Sequence, residues 1–282
     1  CKYGAKLSLS DSQSKILRYG NPTGSLSKYV EGELIGNIYG YTTIGIAKTD
    51  EEMQQHLASL PNGGQSALGS QWAAGDIMYA DLNGDGKINN GSYTINDMGD
   101  MKKIGNSTPR FMTGINLDAA YKGWDLQMFW QGVLKRDWWP GDKNMTFWGV
   151  TDGEWWSTSF KEHLDYFRTS ENPLGENLNS YYPRPIFNTK NNKSQTRYLQ
   201  NAAYMRLKNI QVGYTFPKVW INKLMLQNLR IFVSGENLLT ITSLSDTMDP
   251  ETCGAGYQST EQANGTVYPL AKTISFGLSV NF

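Results

Sequence analysis

Residues 272–282 read KTISFGLSVNF, a stretch in which apolar and polar side chains alternate. The apolar face carries Ile274, Phe276, Leu278, Val280 and Phe282. Successive side chains of a strand point to opposite sides, so the small and polar residues between these positions form the other face. The length is close to the roughly 9–11 residues with which a tilted strand crosses a bilayer. An alternating stretch that ends on an aromatic residue is typical of outer-membrane β-barrels.

The same period of two residues recurs along the chain and predicts about seven strands in all. Alternating faces occur at residues 1–10, 111–121, 124–131, 203–216 and 229–236, and residues 33–46 are β-rich without a clear phase. Phe129 interrupts the alternation of residues 124–131. Within residues 203–216 the apolar side chains change from odd to even positions, which predicts a β-bulge near Lys208. Lys122-Gly123 predicts a tight turn between two strands.

The connections between these strands are of two kinds. Lys122-Gly123 and residues 217–228 are short, whereas residues 47–110, 134–200 and 240–270 are long. Outer-membrane barrels alternate short periplasmic turns with long extracellular loops in this way. We therefore expect the three long connections to be extracellular.

Two short helices are expected inside the connections. Thr49 is a suitable N-cap with Glu52 at the third helical position, and Pro61 closes the segment. A second helix is expected from Val219 to Leu226.

Composition excludes two broad classes of protein. The chain contains 26 basic residues (Lys and Arg) and 26 acidic residues (Asp and Glu). Its net charge of zero argues against a nucleic-acid-binding surface. No apolar run approaches the roughly 18 residues of a transmembrane helix. The two cysteines, Cys1 and Cys253, could pair in an oxidising compartment but make no disulfide framework.

The segment DLNGDGKI at residues 81–88 matches the first half of an EF-hand-type calcium loop. Alternate oxygen ligands suit a hard cation, but Ser92 stands where the closing Glu is usual, so an acid further along must complete the site. The predicted ligands are Asp81, Asn83, Asp85, the Lys87 carbonyl, Asn89, and Asp97 or Asp100. The alternative is an Asx-rich turn that binds no metal.

Aromatic residues are concentrated in the connection at residues 134–200. The predicted ligand-binding residues there are Trp138, Trp139, Trp148, Trp155 and Trp156. Exposed aromatic rings stack on sugar rings or hold peptide side chains. The alternatives are that these residues form the core of the loop or an aromatic girdle at the membrane edge.

Catalytic motifs are lacking, and we expect no enzyme activity. The sequence contains no G-x-S-x-G, no H-E-x-x-H and no phosphate-binding glycine loop. Its two histidines, His56 and His163, lie in polar segments where we expect them to be solvated. Asp152 and Glu154 could form a glycosidase carboxylate pair, but nothing in the sequence sets their separation.

Several sequence blocks together resemble SusC/RagA-type TonB-dependent outer-membrane transporters. In chain order they are GDIMYADLNGDG at 75–86, IGNSTPR at 104–110, GWDL at 123–126, FWQGV at 129–133, KRD at 135–137, RLKN at 206–209, GY at 213–214, VSGENLL at 233–239, YPL at 268–270 and the final strand. The blocks run in the family's order from about residue 35 to residue 282. Family members often carry an acid at the position of Asn89, which weakens the calcium prediction.

The resemblance implies an all-β protein that spans the bacterial outer membrane. It makes residues 1–282 the carboxyl-terminal part of a barrel of about 22 strands, with the plug domain upstream of this chain. Such transporters import oligosaccharides or peptides with a SusD-like surface lipoprotein and draw energy from the TonB complex.

The rival hypothesis is a secreted, soluble, β-rich module that binds glycans with calcium. A soluble sandwich pairs two apolar sheet faces around one core, whereas a barrel segment turns one apolar face to lipid and one polar face to the lumen. The faces of the sheet therefore distinguish the two hypotheses.

Overall fold

The chain folds mainly into antiparallel β-strands joined by connections of very unequal length. A computed structural model describes residues 1–155, 157–253 and 270–282. The strands are β1 (Lys2–Ser10), β2 (Asn37–Tyr41), β3 (Thr43–Ile46), β4 (Ile77–Tyr79), β5 (Met101–Asn106), β6 (Arg110–Tyr121), β7 (Trp124–Lys135), β8 (Asp137–Trp138), β9 (Gln200–Asn201), β10 (Tyr204–Thr215), β11 (Asn228–Thr242) and β12 (Thr273–Asn281).

Six of the strands form one antiparallel sheet in the order β1-β6-β7-β10-β11-β12. Residues 11–109, 136–203 and 243–272 connect the strands at one end of this sheet. Lys122-Gly123 and residues 216–227 connect them at the other end. The predicted alternation of long loops and short turns is confirmed, and each kind of connection has its own end of the sheet.

The pairing register gives the sheet one apolar and one polar face. Leu126 on β7 pairs with Val212 on β10, and Val212 pairs with Val233 on β11, which pairs with Phe276 on β12. Because paired residues point to the same side, these apolar side chains form one continuous band. Phe276 is 82% exposed within this chain. The apolar face thus lacks a second sheet against it among the described residues.

The turn at Lys122-Gly123 joins β6 to β7 with two residues of positive φ. Lys122 has φ 50° and Gly123 has φ 90°, which matches the type I′ turn preferred in two-residue hairpins. A Cβ atom at position 123 would lie 2.6 Å from the Thr215 carbonyl oxygen, so only glycine fits. The predicted tight turn is confirmed.

The predicted bulge at Lys208 is also confirmed. The register of β10 shifts between Leu207 and Asn209 against both of its neighbours, β7 and β11. Phe129, which interrupts the alternation of β7, lies opposite Asn209 on the polar face and packs on Gly114.

Residues 33–46 are not part of the six-stranded sheet, so the predicted seventh strand requires correction. They form β2 and β3, which pair with β5 and β4 in two separate two-stranded sheets. The first long connection therefore spans residues 11–109 rather than 47–110. The reason is that the pairing partners of β2 and β3, which are β5 and β4, lie within the same long connection, where Tyr41 is only 5% exposed.

The long connections pack together into a compact body with its own hydrophobic core, here called the loop body (residues 11–109, 136–203 and 243–253). Its central buried residues are Tyr41, Ala47, Met53, Leu60, Trp72, Ile77, Met78, Tyr79, Ile88, Met101, Trp138, Phe147, Trp148, Tyr182, Tyr198, Ala202, Leu244, Met248 and Cys253. The burial of large side chains is thus concentrated in the loop body rather than in the sheet.

The helices are short and lie within the connections. They are α1 (Asp50–Ala58), α2 (Met145–Trp148) and α3 (Lys218–Ile221), with 3-10 turns at Gly149–Thr151, Lys161–Leu164 and Asn222–Leu224. The Thr49 hydroxyl accepts a hydrogen bond from the Glu52 N–H at 3.1 Å, so the predicted N-cap of α1 is confirmed. The Glu52 side chain accepts from Lys48 N–H rather than from Thr49 N–H. Of the helices in the described ranges, none has the length and apolar character needed to cross a membrane.

Candidate functional site

Three carboxylates meet on the loop body at the predicted cation loop. One oxygen each of Asp81, Asp85 and Asp100 lies within 4.8 Å of the others. Ile88, which follows the loop, is fully buried, and its N–H donates to the Gly64 carbonyl at 2.7 Å. The hydrophobic core thus holds the loop in place from one side.

Backbone N–H groups orient all three carboxylates, and Asp81 and Asp100 each accept two such bonds. Asp81 accepts from Gly84 at 2.7 Å and from Gly86 at 2.8 Å. Burial opposes ionisation of Asp81, but these hydrogen bonds to the charged form lower its pKa. Asp100 is fully buried and accepts from Leu82 and Asn89, both at 2.8 Å. Burial raises the pKa of Asp100 despite these bonds.

The remaining predicted ligands have other partners. The Asn83 side-chain oxygen accepts from Asp85 N–H at 2.9 Å, and that of Asn89 accepts from Gly91 at 2.7 Å. Lys87 N–H donates to Asp85 at 3.1 Å. Asp97 is bonded to the N–H and the hydroxyl of Ser92, at 2.8 and 2.6 Å. Of the two candidate closing acids, the structure therefore brings Asp100 to the cluster and leaves Asp97 outside it.

The donor set fits a hard divalent cation. Carboxylate oxygens are ligands that calcium prefers, and each of the three carboxylates keeps lone pairs beyond those used by the N–H groups. Gly86 has φ 79°, the left-handed conformation that the sharp turn requires. If calcium is bound, Asp81, Asp85 and Asp100 would hold it and their mutual repulsion would be relieved.

The tryptophans of residues 134–200 have very different environments. Trp138 is 3% exposed and Trp148 is fully buried. The structure therefore corrects the prediction that these two side chains contact a ligand directly. They pack around Phe147, whose ring centroid is 4.8 Å from that of Trp148. Trp139 is half-buried against Trp148. Trp156 lies outside the described residues.

Trp155 is the exception, with 79% of its surface exposed. It borders an open cavity of about 260 Å³, together with the 83% exposed Phe187. Glu154 and Ser157 add polar groups to the same cavity. Two exposed aromatic rings beside a carboxylate are suited to sugar rings or to peptide side chains.

Of the four polar side chains that the sequence offered as possible catalytic or solvated groups, His163 and Asp152 are buried, and His56 and Glu154 are half-buried. His163 is 1% exposed; its Nδ1 accepts from Phe160 N–H at 2.9 Å, and its Nε2 lies 3.1 Å from the Phe147 carbonyl oxygen. The expectation that it is solvated was therefore wrong. Asp152 is 1% exposed, and burial raises its pKa. Glu154 is instead paired with Lys143 at 3.3 Å.

The polar face of the sheet carries a charge network that sequence reasoning missed. Arg206 on β10 donates to Asp249 at 2.6 Å and also to Glu251. Lys208, in the bulge, donates to Glu251 at 3.0 Å. Residues 243–253 are therefore held against the polar face. The change in parity of the apolar positions predicted the bulge at Lys208, but no sequence pattern indicated that Asp249 and Glu251 would bind Arg206 and Lys208.

Comparison with known proteins gives two curated relatives from Formosa agariphila. TonB-dependent receptor P3 is 30% identical over 260 residues, which are 89% of this chain and 22% of that protein. TonB-dependent receptor P39 is 24% identical over 283 residues, which are 89% of this chain and 25% of that protein. The chain thus spans about a quarter of the relatives it matches, and no family model matches it.

Solved structures with the same fold are those of RagAB. The RagAB peptide transporter superposes with a TM-score of 0.60 at 18% identity, covering 99% of this chain and 27% of that one. The RagAB peptide importer in its open-open state gives 0.54 at 17% identity, with 99% and 26% coverage. The relatives are named as receptors and transporters rather than as enzymes. The chain is thus similar in sequence to TonB-dependent receptors and shares its fold with the RagAB transporter, which supports its being part of a SusC/RagA-type TonB-dependent receptor.

Proposed function

We propose that the full-length protein imports nutrients across the outer membrane by a TonB-dependent mechanism, with oligosaccharides or peptides as cargo. The observation that carries this proposal is the two-faced sheet. Its apolar band runs across all six strands, and its opposite face is polar and charged. Such a wall suits lipid on one side and an aqueous lumen on the other.

The rival glycan-binding module fits these faces less well. A sandwich would cover the apolar face with a second sheet, and among the described residues the face is uncovered, with Leu7 70% and Ile274 62% exposed. Contiguous apolar surface of this kind is rare on soluble monomers.

Within this proposal, residues 1–282 are the carboxyl-terminal part of the transmembrane barrel domain. The plug and the segment that contacts the TonB complex belong to the part of the protein outside this chain. A SusD-like surface lipoprotein covers the loop body and captures cargo. The RagAB structures, which share the fold, support a two-component arrangement, and the loop body offers a preformed platform for a partner.

Fractionation of the native host, followed by affinity purification, tests this proposal. Tagged full-length protein should be found in the outer membrane and should copurify with a lipoprotein. Mass spectrometry of small molecules released from the complex should then show oligosaccharides or peptides, and their uptake should stop when a protonophore collapses the proton gradient. A full-length protein that stays soluble without detergent would contradict the proposal.

The cavity beside Trp155 is where we place one contact with cargo. Its support is the exposure of Trp155 and Phe187 in a loop body that buries Trp138 and Trp148. Trp155→Ala should weaken binding of the released cargo by about tenfold, the usual worth of one stacked ring. Leu174→Ala, which alters another exposed apolar side chain of the loop body, is the matched control. Equal affinities for the two variants would remove Trp155 from the cargo site.

Calcium at Asp81, Asp85 and Asp100 is a further part of the proposal, as a structural ion that fixes the loop. Metal analysis of the purified full-length protein should find one fewer calcium ion in Asp81→Asn than in the wild type. Equal calcium content in the two proteins would favour the metal-free Asx-rich turn.

A further inference from the structure

The turn at residues 216–227 is unusually elaborate for the short end of the sheet. It contains α3 and the 3-10 turn Asn222–Leu224, whereas the neighbouring turn consists of Lys122 and Gly123 alone. Gln227 N–H donates to the Asn281 carbonyl at 2.8 Å, which ties the turn to β12. The turn is therefore a fixed feature of this end rather than a loose connection.

The apolar side chains of this turn point mostly outward. Val219 is 76% exposed, Trp220 is 61% exposed and Met225 is 89% exposed. Only Ile221 of α3 is buried, at 2%. Exposure of three large apolar residues within seven positions is costly in water, because each side chain loses the gain of burial.

A row of aromatic rings joins the turn to the apolar face of the sheet. The ring centroids of Trp124 and Tyr214 are 4.9 Å apart, those of Tyr214 and Phe216 are 5.1 Å apart, and those of Phe216 and Trp220 are 6.3 Å apart. Tyr214 pairs with Ile231 on the apolar face. The exposed surface of the turn is therefore continuous with the surface that meets lipid.

Three lysines lie in the two turns at this end of the sheet. Residues 216–227 contain Lys218 and Lys223 and no acidic residue, and both lysines are exposed. In the neighbouring turn, the Lys122 ammonium lies 5.2 Å from the centre of the Tyr121 ring. Aromatic rings with lysines beside them are the usual composition of a membrane interface, where ammonium groups meet lipid phosphates.

We propose that the turn 216–227 is an interfacial anchor that binds anionic phospholipid headgroups. Val219, Trp220 and Met225 enter the boundary between headgroups and acyl chains. Lys218, Lys223 and Lys122 contact the phosphates. The occupant is a lipid surface because the turn continues the lipid-facing band and carries charge complementary to phosphate. This inference rests on the outer-membrane placement of the sheet.

Spin labelling of the full-length receptor in phosphatidylglycerol-containing nanodiscs tests the depth of the turn. A nitroxide at Val219→Cys, in a background with the native cysteines replaced by serine, should collide more with oxygen than with a water-soluble nickel complex. Phe276→Cys on β12 is the lipid reference, and Lys161→Cys in the loop body is the water reference. A Val219 label that matches Lys161, or that is shielded from both reagents by a protein contact, would overturn the anchor.

The same experiment separates the anchor from the placement on which it rests. If Phe276 reports lipid and Val219 reports water, the anchor fails and the membrane placement stands. If Phe276 also reports water, the placement itself fails.

The headgroup contact is tested by native mass spectrometry of the full-length receptor with phosphatidylglycerol. The double variant Lys218→Gln/Lys223→Gln should retain about tenfold less lipid than the control Lys48→Gln/Lys161→Gln, which removes two exposed lysines from the loop body. Equal retention by the two variants would overturn the role of the lysines.

Discussion

The guanidinium of Arg184 donates two parallel hydrogen bonds to the carboxylate of Asp76, at 2.7 and 2.9 Å, although the residues are 108 positions apart. Lys190 lies 2.8 Å from the same carboxylate, and the Asn191 amide donates to it at 2.9 Å. Burial alone would raise the pKa of Asp76, but these donors lower it. Asp76 therefore joins the first long connection to the second.

Asp76→Asn should loosen this junction, because it leaves Lys190, which is 2% exposed, without its counter-charge. Breaking a buried pair costs about 3 kcal/mol or more, so amide exchange in residues 71–79 and 184–191 should speed up by about a hundredfold. Hydrogen–deuterium exchange of the full-length protein measures this. Glu51→Gln, at an exposed acid of α1, should change nothing there; equal protection in both variants would count against the junction.

Protonation of His163 should destabilise its part of the loop body. Burial lowers the pKa of His163 despite hydrogen bonding by the Thr146 and Phe147 carbonyls, so the folded protein holds the neutral ring. The unfolded segment takes up its proton below about pH 6.5, so stability is lost progressively as the pH falls from this value towards the lower pKa of the folded state. Exchange in residues 142–165 should be faster at acidic than at neutral pH. His163→Asn should abolish that dependence, and a dependence that persists in the variant would assign it to another group.

Arg206→Gln should release residues 243–253 from the polar face of the sheet. Asp249 and Glu251 keep 19% and 22% of their side-chain surface exposed, so we expect a loss of about 2 kcal/mol, less than for a fully enclosed pair. Limited proteolysis within residues 243–253 measures the release. Lys135→Gln, at the exposed end of β7, is the control. Barrel assembly, read from heat-modifiable gel mobility, should be unchanged, and a variant that fails to assemble would show that Arg206 supports the wall itself.

Calcium affinity should distinguish Asp97 from Asp100, the two acids that the sequence offers as the closing ligand of the calcium loop. Asp100→Asn removes charge from the cluster and should weaken calcium binding by about tenfold or more, whereas Asp97→Asn should leave it unchanged because Asp97 is bonded to Ser92. Calcium titration, followed by hydrogen exchange of residues 81–100, measures both. The reverse order of effects would place the closing ligand at Asp97.

Local patterns in the sequence were enough to predict most elements of the six-stranded sheet and the start of α1. The alternation of residues 272–282, the turn at Lys122-Gly123, the bulge at Lys208 and the N-cap at Thr49 are all confirmed, because each depends on neighbours within a few positions. Residues 33–46 were assigned to the wall wrongly, since β-propensity does not say which sheet a strand joins. The resemblance block at residues 268–270 lies partly outside the described residues.

The sequence by itself determined that this chain builds a two-faced antiparallel wall, because a period of two residues and turn chemistry are properties of short segments. Only the tertiary structure decided that the loops form a body with its own core, that Trp148 is buried there while Trp155 is exposed, and that Asp100 rather than Asp97 approaches Asp81. The physical reason is distance along the chain. Contacts such as that between Asp76 and Arg184 depend on how long connections pack against one another, and no local pattern encodes that packing.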